Sequence, residues 1–102
     1  VHRVLKAGGH VACLIKPQFE AGREKVGKKG VVRDPAVHEE VLADFVALAE
    51  QLPMTIRNLT FSPVKGPEGN IEFLAHLSME PGENHYPPLH ELVEQAHAAL
   101  KG

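Results

Sequence analysis

The residue best placed for chemistry is Lys16, which directly follows the apolar run Val11-Ala12-Cys13-Leu14-Ile15 and directly precedes Pro17. A short apolar run bounded by turn residues is typical of a buried β-strand. Lys16 would then stand at the carboxyl end of that strand, and this is the edge at which open α/β sheets bind ligands. The position suits a lysine that accepts or steers a proton. It equally suits a polar residue with no chemical role, at the point where the chain leaves the buried strand and becomes exposed to solvent.

Glu72 is the second candidate, because its neighbours Ile71, Phe73 and Leu74 are all apolar. An unpaired buried carboxylate is costly, so Glu72 either lies at the margin of a sheet or is held by a partner. If the last strand of the sheet lies beside the first, Lys16 and Glu72 meet at one sheet edge.

A basic segment separates the first strand from the first long helix. It spans residues 17–34 and contains Lys25, Lys28, Lys29 and Arg33. Glycines flank two of these lysines, so the segment has a flexible basic tip that could meet a phosphate backbone. The alternative is a solvated loop whose charges do little.

Other kinds of chemistry find less support in the sequence. The chain of 102 residues has a net charge of −2, and none of its seven histidines shows the spacing of a metal site, so we expect surface histidines and no metal. The single cysteine, Cys13, is expected to be a buried apolar residue in a reducing compartment. Without a signal-like or membrane-spanning stretch, we expect a cytoplasmic protein and no membrane partner.

The elements that must position these residues follow from periodicity and turn signals. We expect the last turns of a helix at residues 1–7, a strand at 10–16, a loop at 17–34, a helix from 35 to 52, strands at 54–62 and 70–78, and a helix after residue 88. Asp34 is the expected N-cap of the long helix and Pro35 its first residue. The apolar face of this helix is expected to contain Val37, Val41, Phe45, Leu48 and Leu52. A change of phase near residues 57–58 predicts a bulge.

This order predicts the α/β class. A β-α-β unit followed by an antiparallel last strand gives a mixed sheet with helices packed on it, which is the second half of a doubly wound domain. The absence of an N-cap or initiator Met before residue 1 suggests a fragment of a larger domain. Such a half-domain would expose a sheet edge, and we therefore expect possible self-association.

Three stretches together resemble the C-terminal part of the TlyA (hemolysin A) family, whose members have an FtsJ-like methyltransferase domain. The stretches are Leu14-Ile15-Lys16-Pro17-Gln18-Phe19-Glu20, Gly27-Lys28-Lys29-Gly30-Val31-Val32-Arg33-Asp34, and Ser62 through Leu74, which reads SPVKGPEGNIEFL. They occur in the family's order, and the resemblance extends to about Leu77. It implies a Rossmann-like methyltransferase fold.

The resemblance also implies a function, namely transfer of a methyl group from S-adenosylmethionine to a ribose 2′-hydroxyl of ribosomal RNA. By motif match, Lys16 would be the second lysine and Glu72 the glutamate of a Lys-Asp-Lys-Glu tetrad. Lys16 would either take the hydroxyl proton or stabilise the oxygen as a cation. Lys25, Lys28, Lys29 and Arg33 would contact RNA phosphates.

The sequence departs from the family pattern in one respect. Residues 1–102 would be only the C-terminal half of the methyltransferase domain, without the cofactor-binding half and the S4-like RNA-binding domain that precede it in the family. We therefore expect this chain alone neither to bind S-adenosylmethionine nor to methylate RNA. Partners would be ribosomal RNA or a ribosomal subunit and the missing N-terminal half. The alternatives are a non-catalytic RNA-binding module and a membrane-active, hemolysin-like protein.

Overall fold

The structure is a computed structural model that describes residues 3–7, 9–20, 30–52, 54–66, 69–80 and 82–100. Its elements are β1 (Arg3–Ala7), β2 (His10–Ile15), α1 (Pro17–Glu20), α2 (Pro35–Glu50), β3 (Thr55–Phe61), β4 (Phe73–Ser78) and α3 (Leu89–Ala99). The fold is the predicted small α/β arrangement.

The four described strands form one sheet in the order β1-β2-β4-β3. Strand β4 pairs antiparallel with both β2 and β3, so β2 and β3 run in the same direction on either side of it. The last strand is therefore antiparallel, as predicted, and it lies beside the first predicted strand. Because it is inserted between the two strands of the β-α-β unit, every pair of neighbouring described strands is antiparallel.

The first segment is not a helix end, and that prediction is wrong. Residues Arg3–Ala7 form β1, which pairs antiparallel with β2 from Arg3 opposite Leu14 to Ala7 opposite His10. The two glycines that suggested a helix end also suit a two-residue hairpin turn, and Gly9 has the positive φ of 81° that such turns require. Pairing satisfies backbone groups along an edge of β2 that would otherwise lack partners.

Helix α2 begins as predicted. The Asp34 side chain accepts a hydrogen bond of 2.9 Å from the backbone N–H of Ala36, and Pro35 occupies the first turn. This cap satisfies a donor that the helix cannot satisfy itself. The predicted bulge in β3 is also confirmed, since the register with β4 shifts between Ile56 and Asn58.

The core lies between the sheet and helices α2 and α3. Buried residues alternate along β2 and β4 and meet the buried face of each helix; the members of the core cluster are Val11, Cys13, Ile15, Val41, Leu42, Phe45, Val46, Ala49, Ile56, Leu59, Ile71, Phe73, Ala75, Leu77, Leu92, Val93 and Ala96. On the opposite side of the sheet, Ala12 and His76 are exposed. The sheet is thus covered by these helices on one face.

The predicted apolar face of α2 is only partly buried. Val41 and Phe45 belong to the core, but Leu48 is 52% and Leu52 43% exposed. These two leucines border an apolar groove of about 180 Å³ that also reaches Met54. No helix in the described part of the chain combines the length and apolar character needed to cross a membrane.

Candidate active site

Lys16 and Glu72 lie together at one end of the sheet, as the sequence predicted. The β2–β4 register ends with Ile15 opposite Phe73, and one further step places Lys16 opposite Glu72. Residues opposite each other in neighbouring strands carry side chains on the same face, and here Lys16 Nζ lies 3.8 Å from Glu72 Oε2. The pairing of the first and last predicted strands therefore brings the two charges together.

The Glu72 carboxylate is held in a confined place. Its side chain is 7% exposed, whereas that of Lys16 is 17% exposed. The backbone C=O of Glu72 accepts a 2.8 Å hydrogen bond from Ser62 N–H, which continues the β3–β4 ladder past the end of the regular strands. A buried carboxylate needs partners for its charge, and Lys16 supplies one of them.

Gln18 is a second partner of Glu72, and the sequence prediction missed it. It lies in α1, a single helical turn at Pro17–Glu20, where the sequence predicts the start of a loop. The Gln18 Nε2–H donates a 2.9 Å hydrogen bond to Glu72 Oε2, the same oxygen that faces Lys16. The sequence carries no local signal for this contact, since Gln18 and Glu72 are 54 positions apart and meet only in the tertiary structure.

Gly66 borders the carboxylate from the β3–β4 connection. A Cβ at this position would lie 2.8 Å from Glu72 Oε1 and closer still to Oε2, so any other residue here would require the Glu72 carboxylate to move. Hydrogen bonds from Gly66 N–H to Asn70 C=O (2.7 Å) and from Gly69 N–H to Gly66 C=O (3.1 Å) hold this connection in place. The connection therefore packs directly against Glu72 because residue 66 is glycine.

Asn70 fixes the end of the basic segment beside the same site. Its Oδ1 accepts from Val32 N–H at 3.0 Å and its Nδ2 donates to Gly30 C=O at 2.9 Å. Asn70 is fully buried and lies two residues before Glu72. The segment that leads to Arg33 is thus anchored close to the candidate site.

His38 adds a further anchor, and for this residue the expectation of a surface histidine is wrong. It is fully buried in α2. Because a carbonyl only accepts, His38 Nε2–H donates to Val32 C=O at 3.0 Å, and Nδ1 lies 2.7 Å from Nε2 of His97 in α3. Burial, reinforced by His97, lowers the pKa of His38 from 6.5 to about 4, so the ring is neutral and Nδ1 accepts from His97.

The predicted RNA-binding residues divide into two groups. Arg33 is exposed, immediately before the α2 N-cap. Lys25, Lys28 and Lys29 lie outside the described residues. Within the part of the chain that the structure describes, no three His, Cys, Asp or Glu side chains are grouped to hold a metal ion.

Comparison with known proteins gives the family. The FtsJ-like methyltransferase profile matches residues 1–79. YqxC of Bacillus subtilis (strain 168), described as a candidate rRNA methyltransferase, is 45% identical over 104 residues, which cover 96% of this chain and 37% of YqxC. The 16S/23S rRNA (cytidine-2′-O)-methyltransferase TlyA of Mycobacterium tuberculosis is 38% identical over 64 residues, covering 63% of this chain and 24% of TlyA.

A solved structure agrees with these sequence matches. A protein from Streptococcus thermophilus, described as a candidate hemolysin, superposes with a TM-score of 0.82 at 46% identity, covering 95% of this chain and 36% of the other. The chain thus spans little more than a third of the length of this structure and of YqxC. By profile, sequence and fold, the chain belongs to the FtsJ-like methyltransferase family.

Proposed function

We propose that this chain is the C-terminal part of an S-adenosylmethionine-dependent enzyme that methylates a ribose 2′-hydroxyl of ribosomal RNA, with Lys16 and Glu72 in its catalytic site. The observation that carries the proposal is the contact between Lys16 Nζ and Glu72 Oε2 at the carboxyl end of β2. Support for the reaction comes from the TlyA relative, whose name specifies cytidine-2′-O methylation.

The chemistry of the reaction suits this pair. A 2′-hydroxyl is a weak nucleophile until its proton is accepted or the developing charge on its oxygen is stabilised. Lys16 Nζ either accepts that proton or donates a hydrogen bond to the oxygen, and Glu72 fixes the direction in which Nζ points. In the transfer, the O–CH₃ bond forms, the S–CH₃ bond breaks and the hydroxyl proton leaves.

The described residues fit the ribose side of this reaction better than the cofactor side. S-adenosylmethionine supplies an electrophilic methyl group when bound. The turn after β2 reads Lys16-Pro17-Gln18, and it lacks the glycines that let a backbone approach such a cofactor closely. We assign cofactor binding to a preceding part of the full-length protein, which agrees with the 37% coverage of YqxC.

RNA contact is assigned to Lys25, Lys28, Lys29 and Arg33. The anchoring of residues 30–32 by Asn70 supports this assignment, because it places the end of the basic segment beside Glu72. Each lysine or arginine that neutralises a phosphate contributes about one unit to the salt dependence of binding. Replacing Lys28 by Gln should lower that slope by about one, whereas a slope unchanged by all four replacements would contradict the assignment.

The experiment that tests the function uses the full-length protein that carries this chain, ribosomal subunits and S-adenosylmethionine. Ribose methylation makes the adjacent phosphodiester bond resistant to alkali, because alkaline cleavage needs the free 2′-hydroxyl. We expect one or a few alkali-resistant positions in the rRNA, all absent with the Lys16→Met enzyme. Methylation of a base, or none at all, would contradict the proposal.

The same assay decides between this function and the alternatives. A non-catalytic RNA-binding module would bind rRNA with a steep salt dependence and would be insensitive to Glu72→Gln. The name hemolysin A, carried by a Brachyspira hyodysenteriae relative that is 46% identical over 63 residues, suggests membrane activity instead. Dye release from liposomes by the full-length protein would support that function.

A further inference from the structure

Val64, in the connection between β3 and β4, is the most exposed large apolar residue in the described part of the chain. It is 71% exposed, against 52% for Leu48, and the neighbouring Pro63 is exposed as well. A single exposed apolar residue needs no special explanation on an ordinary surface. Val64 differs from that case because its backbone is fixed and because it lies at the rim of the candidate active site.

The side chain of Ser62 fixes the backbone of Val64. Its hydroxyl donates a 2.9 Å hydrogen bond to Val64 C=O and accepts one of 3.3 Å from Val64 N–H. Both backbone polar groups of residue 64 therefore have a partner within the connection. The branched Cβ leaves a valine side chain few rotamers, so covering it costs little conformational entropy. Val64 is thus a preformed apolar contact that is open to solvent.

The connection that carries Val64 is held against Glu72 on both sides of this residue. Ser62 N–H donates to Glu72 C=O at 2.8 Å, and Gly66 N–H donates to Asn70 C=O at 2.7 Å. Gly66 also packs directly against the Glu72 carboxylate. Two residues of chain span at most about 7 Å, so the Val64 backbone lies within that distance of Gly66.

The surroundings of Val64 carry positive charge. Lys65 follows it directly, and burial together with the charge of Lys65 lowers the pKa of His97 in α3. Through Asn70, the same connection is joined to the segment that ends at the exposed Arg33. An apolar side chain among cations suits a nucleic acid, since its phosphates are anionic while its bases have apolar faces. This combination favours RNA over an apolar protein surface as the group that covers Val64.

We propose that Val64 packs against the base of the nucleotide that is methylated, while the ribose of that nucleotide lies at Lys16. The inference rests on the proposed function and adds a contact that holds the base out of the RNA stack. Val64 takes no part in the transfer of the methyl group or the proton. A valine makes no hydrogen bonds to base edges, so this contact holds a base without selecting which base it is.

The test combines protein variants with two RNAs, one intact and one that keeps the ribose of the methylated nucleotide but lacks its base. Dissociation constants are measured for the full-length protein with S-adenosylhomocysteine in place of S-adenosylmethionine, so that no transfer occurs. Val64→Thr keeps the branched shape and replaces one methyl group by a hydroxyl. It should weaken binding of the intact RNA about fivefold and that of the abasic RNA less than about twofold, because only the intact RNA covers the side chain.

Two further variants serve as controls. Val64→Ile keeps an apolar, branched side chain and should bind both RNAs at least as tightly as the wild type. Leu48→Thr changes an exposed residue that borders the groove with Val11 and Leu77, at the end of the sheet away from Lys16. This variant should retain the wild-type affinity for both RNAs.

The outcomes distinguish this inference from the proposed function. If the wild-type enzyme methylates no ribose, the proposed function fails and this inference fails with it. If it methylates ribose but Val64→Thr binds the intact RNA as the wild type does, the proposed function stands and the contact is refuted. Equal losses with both RNAs also refute it, and would indicate that another part of the protein covers Val64. A loss confined to the intact RNA, and absent from Val64→Ile and Leu48→Thr, supports the contact.

Discussion

The buried, neutral His38 should make the fold less stable as the pH falls below neutrality, because the unfolded chain takes up a proton that the folded ring does not. The buried ring donates to Val32 C=O and accepts from His97, so a second proton on it would meet the N–H of His97 instead of a lone pair. Burial is the largest cause of the lowered pKa, and the charge of His97 adds to it, whereas the Val32 hydrogen bond and Asp34 act in the opposite direction. The pKa of His97 is itself lowered, by burial and by Lys65.

The size of the effect follows from the pKa of His38, which is 6.5 in an unfolded chain and about 4 in the folded one. Between these values the unfolded state binds more protons, so the stability contributed by a neutral His38 is complete above pH 6.5 and is lost progressively towards pH 4. At about 1.4 kcal/mol for each pKa unit, the loss amounts to at most about 3–4 kcal/mol.

Two measurements test this prediction. The His38 ring should titrate by NMR with a pKa well below 6.5, and urea unfolding should show a steeper pH dependence between pH 7 and 4.5 for the wild-type chain than for His38→Gln. His85→Gln, which changes an exposed histidine between β4 and α3, should retain the wild-type dependence. A His38 pKa at or above 6.5, or equal pH dependences for the wild type and His38→Gln, would refute the reasoning.

Three other predictions concern the surroundings of the site and the exposed face of α2. Gly66→Ala should displace the Glu72 carboxylate and reduce methylation by the full-length enzyme at least tenfold with little change in RNA affinity; an unchanged rate would contradict the close packing. Asn70→Ala removes the partners of two backbone groups in the basic segment and should lower the free energy of unfolding by about 2–3 kcal/mol in urea titrations. A loss below about 0.5 kcal/mol, which is less than the ~1 kcal/mol of one ordinary hydrogen bond, would contradict this anchoring role of Asn70. Self-association of the 102-residue chain, if it uses the apolar groove, should weaken in analytical ultracentrifugation when Leu48 and Leu52 are both replaced by Lys, and association unchanged by both replacements would place it elsewhere.

Most of the candidate site could be predicted from the sequence, because the order of the strands in the sheet determines which strand ends lie side by side. Lys16 ends one apolar strand and Glu72 begins another, and once these strands are neighbours the two side chains must face each other. The bulge near residue 57 and the Asp34 cap were equally predictable, because each depends on a local pattern.

The features that were not predicted depend on tertiary contacts. The apolar residues and glycines of the first nine positions are compatible with either a helix end or a β-hairpin. The pairing of β1 with the edge of β2 selects the hairpin. The His38 ring is polar, so burial was not expected from its residue type. It can be buried because both ring nitrogens have hydrogen-bond partners, Val32 C=O and His97. Gln18 and Gly66 became recognisable as parts of the site only when the Glu72 carboxylate was located between them.

The most direct test of the central claim measures whether Lys16 and Glu72 act together in ribose methylation. Single-turnover rates of the full-length enzyme would be compared for wild type, Lys16→Met, Glu72→Gln and the double variant. We expect each single replacement to slow transfer by about 10²–10⁴-fold, and the double variant to be little slower than Lys16→Met alone. Losses that multiply in the double variant, or a Lys16→Met enzyme that methylates at the wild-type rate, would contradict the account.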